Sequence, residues 1–227
     1  MDEDVFVHED PARDRLARVM RRQPVQQRGA ATVSAILDAC ASLLNEYDYD
    51  DITTARIVDV AGVPIGSFYQ YFPDKRSVVH ALALRGMETY LREVGELFAT
   101  GLIADTWREA MAQAVSVYMR MLHELPGFGR VRFSDMLDSH RLDSSVDQYE
   151  LMAECLAEMF GNRFGTHGDA PVVLTFRIAV QTADALFKLA ERVGEDDRAY
   201  VVGTANELLT GVLGTVLEAP RDPAQRP

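Results

Sequence analysis

Cysteine is scarce in this 227-residue sequence, which contains only Cys40 and Cys155. Each lies on the apolar side of a helical pattern and matches no metal-ligand spacing, which predicts buried free thiols rather than a disulfide or a metal site. The sequence also lacks a phosphate-binding loop, an HExxH motif and a GxSxG motif. We therefore predict no catalytic residues, no cofactor and no metal, and a protein that is not an enzyme.

Long apolar runs are absent as well. No stretch approaches the roughly 20 consecutive apolar residues that span a bilayer. The first residues, MDEDVFVHED, are acidic where a secretory signal would be basic and then apolar. These absences predict a cytoplasmic protein with no membrane partner, and the 48% of hydrophobic residues is enough for a sizeable core.

Positive charge is concentrated in one place. The formal net charge of −12 argues against a protein that coats nucleic acid by bulk attraction. Six arginines nevertheless fall between residues 11 and 28 beside a single acid, Asp14, which gives that segment a local charge of +5. Residues 1–28 are therefore predicted to be a basic, flexible N-terminal arm, and any phosphate contact is focused there. A solvated tail without function is the alternative.

After the arm, the hydrophobic period is helical and no useful strand alternation occurs, so we predict an all-α chain of about nine helices. Apolar residues recur at three- and four-residue steps along a first helix, from residue 33 to 47. Thr53 and Thr54 suit the start of a short second helix, Gly62 stops it, and Pro64 begins a third. Two short helices joined by a tight turn are typical of a DNA-binding helix-turn-helix.

The third helix carries four aromatic residues within five positions. Phe68 and Phe72 are four residues apart, so they share one side and are predicted to pack into the small bundle. The residues left to face outward are Gly66, Ser67, Tyr69 and Gln70, with Tyr71 at the margin. The aromatic cluster is therefore divided between core and surface.

The C-terminal half ends in two unusually apolar helices. After a predicted loop at Gly161–Pro171, residues 172–193 and 199–217 carry apolar groups on more than one face. Three glycines, Gly203, Gly211 and Gly214, lie inside the last helix, where each costs about 1 kcal/mol relative to alanine. Close approach of another helix would compensate, so we predict a homodimer interface through 172–193 and 199–217. A long-helix core within one chain is the alternative.

The stretch ITTARIVDVAGVPIGSFYQYFPDKRSVVHAL, residues 52–82, preceded by TVSAILDACASLL, resembles the TetR family of transcriptional regulators. The resemblance implies a helix-turn-helix DNA-binding domain over residues 29–80, an effector-binding and dimerisation domain over 81–220, and a tail at 221–227. It also implies a ligand-responsive, sequence-specific repressor that binds a palindromic operator in double-stranded DNA as a homodimer. Beyond residues 29–85 only the number and order of helices match.

The resemblance makes residues 64–71 the recognition helix in the major groove. Ser67 and Gln70 would face base edges, where glutamine pairs well with adenine. The phosphate contacts that it implies are Thr54, Tyr69, Tyr71 and Lys75, with Arg56 as an additional contact. Ile65 and Gly66 share this surface without side-chain hydrogen bonds, which favours methyl contacts or shape readout. We further hypothesise that residues 13–28, including Arg21 and Arg22, add phosphate or minor-groove contacts.

Family resemblance also implies a small-molecule effector that releases DNA. Aromatic and methionine positions in the middle helices predict a small apolar or aromatic effector. The predicted pocket residues are Trp107, Tyr118, Met119, Leu122, Phe128, Phe133, Met136, Tyr149, Met152, Phe176 and Gln181, with plain core packing as the alternative for each. The candidate polar anchors are His123, Arg132, Asp135 and His140, for which ordinary surface positions are the default interpretation. An all-α dimeric protein-interaction adaptor and a regulator without an effector are the alternatives.

Overall fold

The computed structural model describes residues 27–102, 105–130, 148–165 and 170–218. Several predicted functional residues lie outside the described residues. They are Arg21 and Arg22 of the arm, the pocket residues Phe133 and Met136, and the candidate polar anchors Arg132, Asp135 and His140. The C-terminal tail also lies outside them. Within the described ranges every regular element is helical, which confirms the all-α prediction. The helices are α1 (Gln27–Glu46), α2 (Thr54–Ala61), α3 (Ile65–Tyr71), α4 (Lys75–Ala99), α5 (Trp107–Glu124), α6 (Gln148–Phe164), α7 (Ala170–Arg192) and α8 (Glu195–Leu217), with a 3-10 turn at Tyr49–Asp51.

The described residues form two compact units. The first unit contains residues 27–90 and 119–130, and the second contains 91–118, 148–165 and 170–218, without 103 and 104. The continuous helices α4 and α5 each contribute residues to both units.

Local hydrogen bonds explain where the helices of the first unit begin and end. The Thr53 hydroxyl accepts a hydrogen bond from the Arg56 amide at 3.2 Å and caps the start of α2. Gly62 ends α2 with φ +64°, a left-handed conformation that glycine adopts without steric cost. At the start of α4, the Asp74 carboxylate accepts from the Ser77 amide at 2.8 Å.

The core of the first unit is built around the aromatic residues of α3. Phe68 and Phe72 are fully buried, and their ring centroids are 5.9 Å apart. Ile36 and Cys40 of α1 and Ile57 of α2 belong to the same buried cluster. Burial raises the pKa of the Cys40 thiol to about 12, so this cysteine is a packing residue and not a reactive thiolate.

A turn that follows α5 packs closely on α1 in the first unit. Gly127 has φ +73°, and a Cβ placed there would lie 2.9 Å from Cα of Ala41. The Gly127 amide donates a hydrogen bond to Oδ1 of Asn45 at 3.0 Å. The turn at Gly127, which is distant in sequence, therefore packs against α1 and stabilises it.

The loop predicted at 161–171 is wrong at both ends, because Ala170 and Pro171 already belong to α7. Residues 161–164, predicted to begin a loop, continue α6 to Phe164, whose ring lies 5.8 Å from Phe160 and 6.4 Å from Phe98. Phe160 also contacts Phe176 of α7, with 5.5 Å between ring centroids. The stabilisation gained by burying these rings outweighs the helix-breaking tendency of Gly161.

We expect Gly127→Ala to destabilise the protein by about 2–4 kcal/mol, because the substitution adds both backbone strain and a steric clash with α1. Gly62→Ala is the matched control, because Gly62 also has positive φ but a Cβ there would meet nothing within 4 Å. The control should cost only about 1 kcal/mol. Urea unfolding followed by circular dichroism measures both, and equal losses would show that the contact with Ala41 contributes nothing.

Candidate nucleic-acid interface and effector site

Burial divides α3 into an inward and an outward face. Phe68 is fully buried, whereas Ile65 and Tyr69 are each 47% exposed and Gln70 is exposed. Ser67 is half-buried. A Cβ on the exposed Gly66 would meet nothing within 4 Å, so packing within the chain does not require glycine there. The outward face therefore offers one amide, one phenol and an apolar group at the start of the helix.

Arg56 lies in the first turn of α2, and its exposed side chain rests on an aromatic ring that the sequence reasoning missed. Its guanidinium carbon is 4.2 Å from the centroid of Tyr47, the residue directly after α1. Such a cation–π contact contributes about 0.5–1 kcal/mol at an exposed site. Tyr47 thus limits the positions available to this exposed cation. The sequence pattern placed Tyr47 in the apolar stripe of the first helix, but α1 ends at Glu46 and Tyr47 is 38% exposed, so the pattern did not predict this contact.

Lys75 is held by backbone carbonyls. Its ammonium donates hydrogen bonds to the Tyr49 and Ile52 carbonyl oxygens, both at 2.8 Å, and a longer one of 3.5 Å reaches the Asp50 carbonyl. The same ammonium lies 4.2 Å from the centroid of the Tyr49 ring. Burial and the neighbouring Asp74 carboxylate raise the pKa of Tyr49, so that ring is neutral at physiological pH. In this arrangement Lys75 clamps the 3-10 turn.

Two further residues differ in environment from the outward set. Tyr71, placed at the margin by the sequence pattern, is only 9% exposed and belongs to the core cluster. Thr54, the first residue of α2, is half-buried. Phosphate contacts by Tyr71, Thr54 and Lys75 stay predictions, and the burial of Tyr71 and the carbonyl contacts of Lys75 support structural roles for those two residues.

The predicted effector residues are divided between the two units. Met119, Leu122 and Phe128 lie in the first unit, where the Phe128 ring packs directly over Gly86 of α4. A cleft beside this contact, lined by Leu82, Arg85, Gly86, Leu125, Pro126 and Phe128, has room for about one water molecule. This cleft is too small for an effector.

In the second unit, the predicted pocket residues have different environments. Tyr149, Met152 and Phe176 are buried, and Trp107 and Tyr118 are half-buried. Gln181 is exposed on α7, which does not fit a residue enclosed in a pocket. His123, predicted as a polar anchor, is also exposed, at the end of α5 in the first unit.

A buried carboxylate that the sequence reasoning missed lies among these residues. Asp184 of α7 is 7% exposed, and its Oδ2 accepts a hydrogen bond from the Tyr149 hydroxyl at 2.8 Å. Lys188, one turn further on, places its ammonium 3.0 Å from the same oxygen. The signal was available, because Asp184 interrupts the apolar pattern of α7.

Helices α7 and α8 pack against each other and still expose apolar side chains. Along α7 the exposed positions recur at three- and four-residue steps, which aligns them on one side of the helix. This stripe consists of Leu174, Ile178, Gln181, Ala185 and Leu189. On α8, Tyr200, Gly203, Leu208 and Gly211 are exposed, and a Cβ on either glycine would meet nothing within 4 Å.

By length and composition α7 and α8 could also cross a membrane, with 22% and 17% of their most apolar windows buried. Two such helices are weak evidence for a membrane segment, because core and interface helices have the same composition. Within the described residues, no three His, Cys, Asp or Glu side chains are grouped to hold a metal ion.

Comparison with known proteins identifies both parts of the chain. Residues 36–82 match the bacterial regulatory proteins of the tetR family, and residues 106–213 match the tetracyclin repressor-like C-terminal domain. A TetR-family transcriptional regulator from Streptomyces coelicolor is 35% identical, with a TM-score of 0.68, and the match covers 82% of this chain and 99% of that chain. No curated protein matches the sequence.

Two more distant structures share the fold. The TetR family repressor AlkX from Dietzia sp., implicated in biodegradation of n-alkanes, is 18% identical, with a TM-score of 0.57 over 82% of this chain and 96% of that chain. RolR in complex with resorcinol is 17% identical, with a TM-score of 0.53 over 86% of this chain and 97% of that chain. The matches to both family domains and the 35% identity to the Streptomyces coelicolor regulator agree with the helix-turn-helix geometry. They show that this chain belongs to the TetR family of ligand-responsive, DNA-binding transcriptional regulators.

Proposed function

We propose that this regulator is a repressor that binds a palindromic operator as a homodimer and releases it when a small apolar or aromatic effector binds. The observation that carries the DNA-binding part is the outward face of α3, where Ile65, Tyr69 and Gln70 are exposed while Phe68 is fully buried. A short helix with a fixed buried side can enter a major groove and present its other side to base edges. Family membership argues against the adaptor alternative, and TetR family regulators are generally not enzymes.

Residues on and beside α3 divide into base readers and phosphate contacts. Gln70 has the side chain that pairs with adenine N6 and N7, and Ile65 can contact a thymine methyl group. Arg56 and Tyr69 are the proposed phosphate contacts, which the contact of Arg56 with the Tyr47 ring and the exposure of Tyr69 support. Because residues 29–80 contain three basic and seven acidic side chains, phosphate contacts depend on few cations, and the position of Arg56 has a large effect.

The exposed stripe of α7 and the glycine-bearing side of α8 support the homodimer. Neighbours among the described residues do not explain why Gly203 and Gly211 replace better helix formers. A partner helix that approaches their backbone closely would explain both glycines and would cover Leu174, Ile178 and Leu189. Two-fold symmetry then presents two identical recognition helices, so the operator is an inverted repeat.

Release of DNA requires that the effector binds more tightly to the form that does not fit the operator. Helix α4 is the proposed lever, because it begins in the first unit at Lys75 and ends in the second. RolR, which shares this fold, binds the aromatic compound resorcinol, and this fold-level analogy agrees with an aromatic or apolar effector.

Selection of bound sequences from a pool of random duplexes tests the function. Ligand-stripped wild-type protein should enrich an inverted repeat, with an affinity that falls steeply as salt is raised. Gln70→Ala should lose about 1–3 kcal/mol of discrimination at one base pair in each half-site. Asn162→Ala, which removes an exposed amide from α6, is the matched control and should select the wild-type sequence. A folded, ligand-free dimer that enriches no inverted repeat would contradict the proposal.

Tyr47→Ala should weaken binding of the dimer to the selected operator about 5–30-fold, because an exposed cation–π contact contributes about 0.5–1 kcal/mol to holding Arg56 in place and the dimer has two such contacts. The loss should be similar for specific and non-specific DNA, since phosphate contacts carry no sequence information. Tyr47→Phe keeps the ring and should bind as the wild type does. Fluorescence anisotropy measures all three affinities, and equal weakening by both variants would show that the ring does not act through Arg56.

Charged residues in the stripe of α7 should dissociate the dimer. We expect Ile178→Glu combined with Leu189→Glu to sediment as a monomer at micromolar concentration, because pairing would bury unpaired charges. Ala112→Glu places the same charge at an exposed position of α5 and should remain dimeric. Analytical ultracentrifugation measures the mass and circular dichroism checks the helix content. A folded dimer in the double variant would exclude this interface.

A further inference from the structure

Asp184 is buried in the second unit. One of its carboxylate oxygens has hydrogen-bond partners among the described residues, and the other has none. Oδ2 receives the Tyr149 hydroxyl at 2.8 Å and the Lys188 ammonium at 3.0 Å. Oδ1 is inaccessible to solvent and accepts no hydrogen bond from any described residue. Buried acceptors are nearly always paired, so this oxygen calls for a donor.

A structural role alone does not account for this carboxylate. A buried ion pair is often no more stabilising than apolar side chains of similar volume, and an unmet acceptor adds a further cost. Asp184 lies one turn before Phe187 on α7, within a helix whose other buried residues, such as Phe176 and Ala179, are apolar. An apolar residue at this position would pack without the free-energy cost of burying a charge and an unpaired acceptor. This favours a binding role for the carboxylate.

The surroundings define the chemistry of a matching ligand. Tyr118 of α5 stacks on Phe187, with ring centroids 5.3 Å apart and planes inclined by 27°. Tyr149 and the buried Met152 come from α6 on the neighbouring side. Aromatic and methionine side chains suit an apolar or aromatic body, and a carboxylate oxygen accepts a hydrogen bond but cannot donate one.

We propose that Oδ1 of Asp184 is the polar anchor of the effector site and that it selects a neutral molecule that joins a hydroxyl donor to an aromatic or apolar body. Lys188 offsets the charge of the carboxylate, so a cationic ligand gains little attraction, and an anionic ligand is repelled at Oδ1. Tyr149 is a positioning residue, because its hydrogen bond to Oδ2 orients the carboxylate so that Oδ1 points away from the Tyr149 hydroxyl. This inference rests on the proposed function, since it assigns chemistry to the effector of that function.

Matched probes that differ only at the donor group test the anchor. Phenol is compared with toluene, and 2-naphthol with 2-methylnaphthalene, by calorimetric titration of the full-length protein. Wild-type protein should bind each hydroxyl compound about tenfold or more tightly than its methyl partner, because the methyl compound leaves the buried acceptor unpaired. Asp184→Leu should reduce that ratio to about one and leave the affinity for the methyl partner unchanged.

Two further variants separate anchoring from folding. Asp184→Asn retains a carbonyl acceptor of similar shape and should restore part of the hydroxyl preference. Glu154→Gln, which removes an exposed carboxylate from α6, should behave as the wild type. Thermal unfolding without ligand checks that each variant is folded. A wild-type protein that binds both members of each pair equally, binds neither pair, or keeps its preference in Asp184→Leu would overturn the anchor.

The selected operator distinguishes failure of the anchor from failure of the regulator. If an inverted repeat is enriched but the hydroxyl preference is missing, only the anchor is wrong. If the hydroxyl preference depends on Asp184 but the wild-type protein selects no operator, the ligand site stands and the proposed function fails. Release of the operator by 2-naphthol in the wild-type protein, but not in Asp184→Leu, would support both.

Discussion

The complete burial of Phe68 and Phe72 is the constraint on which the DNA-binding surface depends. Phe68 within the seven-residue helix and Phe72 directly after it leave α3 a single stable rotation, because turning it would expose both rings. Pro64 precedes the first residue of α3, and the extended backbone of Phe72 ends the helix. Ile65, Tyr69 and Gln70 face outward because the opposite face is committed to the core.

Cations near the motif have two distinct uses. Lys75 supplies donors to the carbonyl groups of Tyr49 and Ile52, and this contact joins the start of α4 to the segment between α1 and α2. Arg56 remains exposed and is limited by the Tyr47 ring. In an acidic protein the distinction matters, since the number of cations that reach phosphates sets both the affinity and its salt dependence.

The second unit solves a different physical problem, because it must be stable and also adjustable. Its phenylalanine cluster contains the buried Phe160 and Phe176, whereas Asp184, on the same helix as Phe176, places there a charge with one oxygen that no described residue pairs. A charge of this kind raises the free energy of the unliganded form and makes a correctly placed donor count for more. On the proposed function, an effector that supplies this donor gains binding free energy at Asp184, and it releases DNA to the extent that it binds the form that does not fit the operator more tightly.

The sequence by itself determined the helical class, the helix-turn-helix and the division of the aromatic residues on α3, because these depend on periodicity, caps and turns that act over a few residues. It also indicated the apolar excess of α7 and α8. Only the tertiary structure decided that Lys75 binds the 3-10 turn, that Tyr47 supports Arg56, that α6 continues to Phe164 and that Asp184 is buried beside Tyr149 and Lys188. Each of these depends on residues that are distant in sequence, or on burial energy that exceeds a local preference. Among them only Asp184 left a sign in the sequence, as an interruption of the apolar pattern of α7.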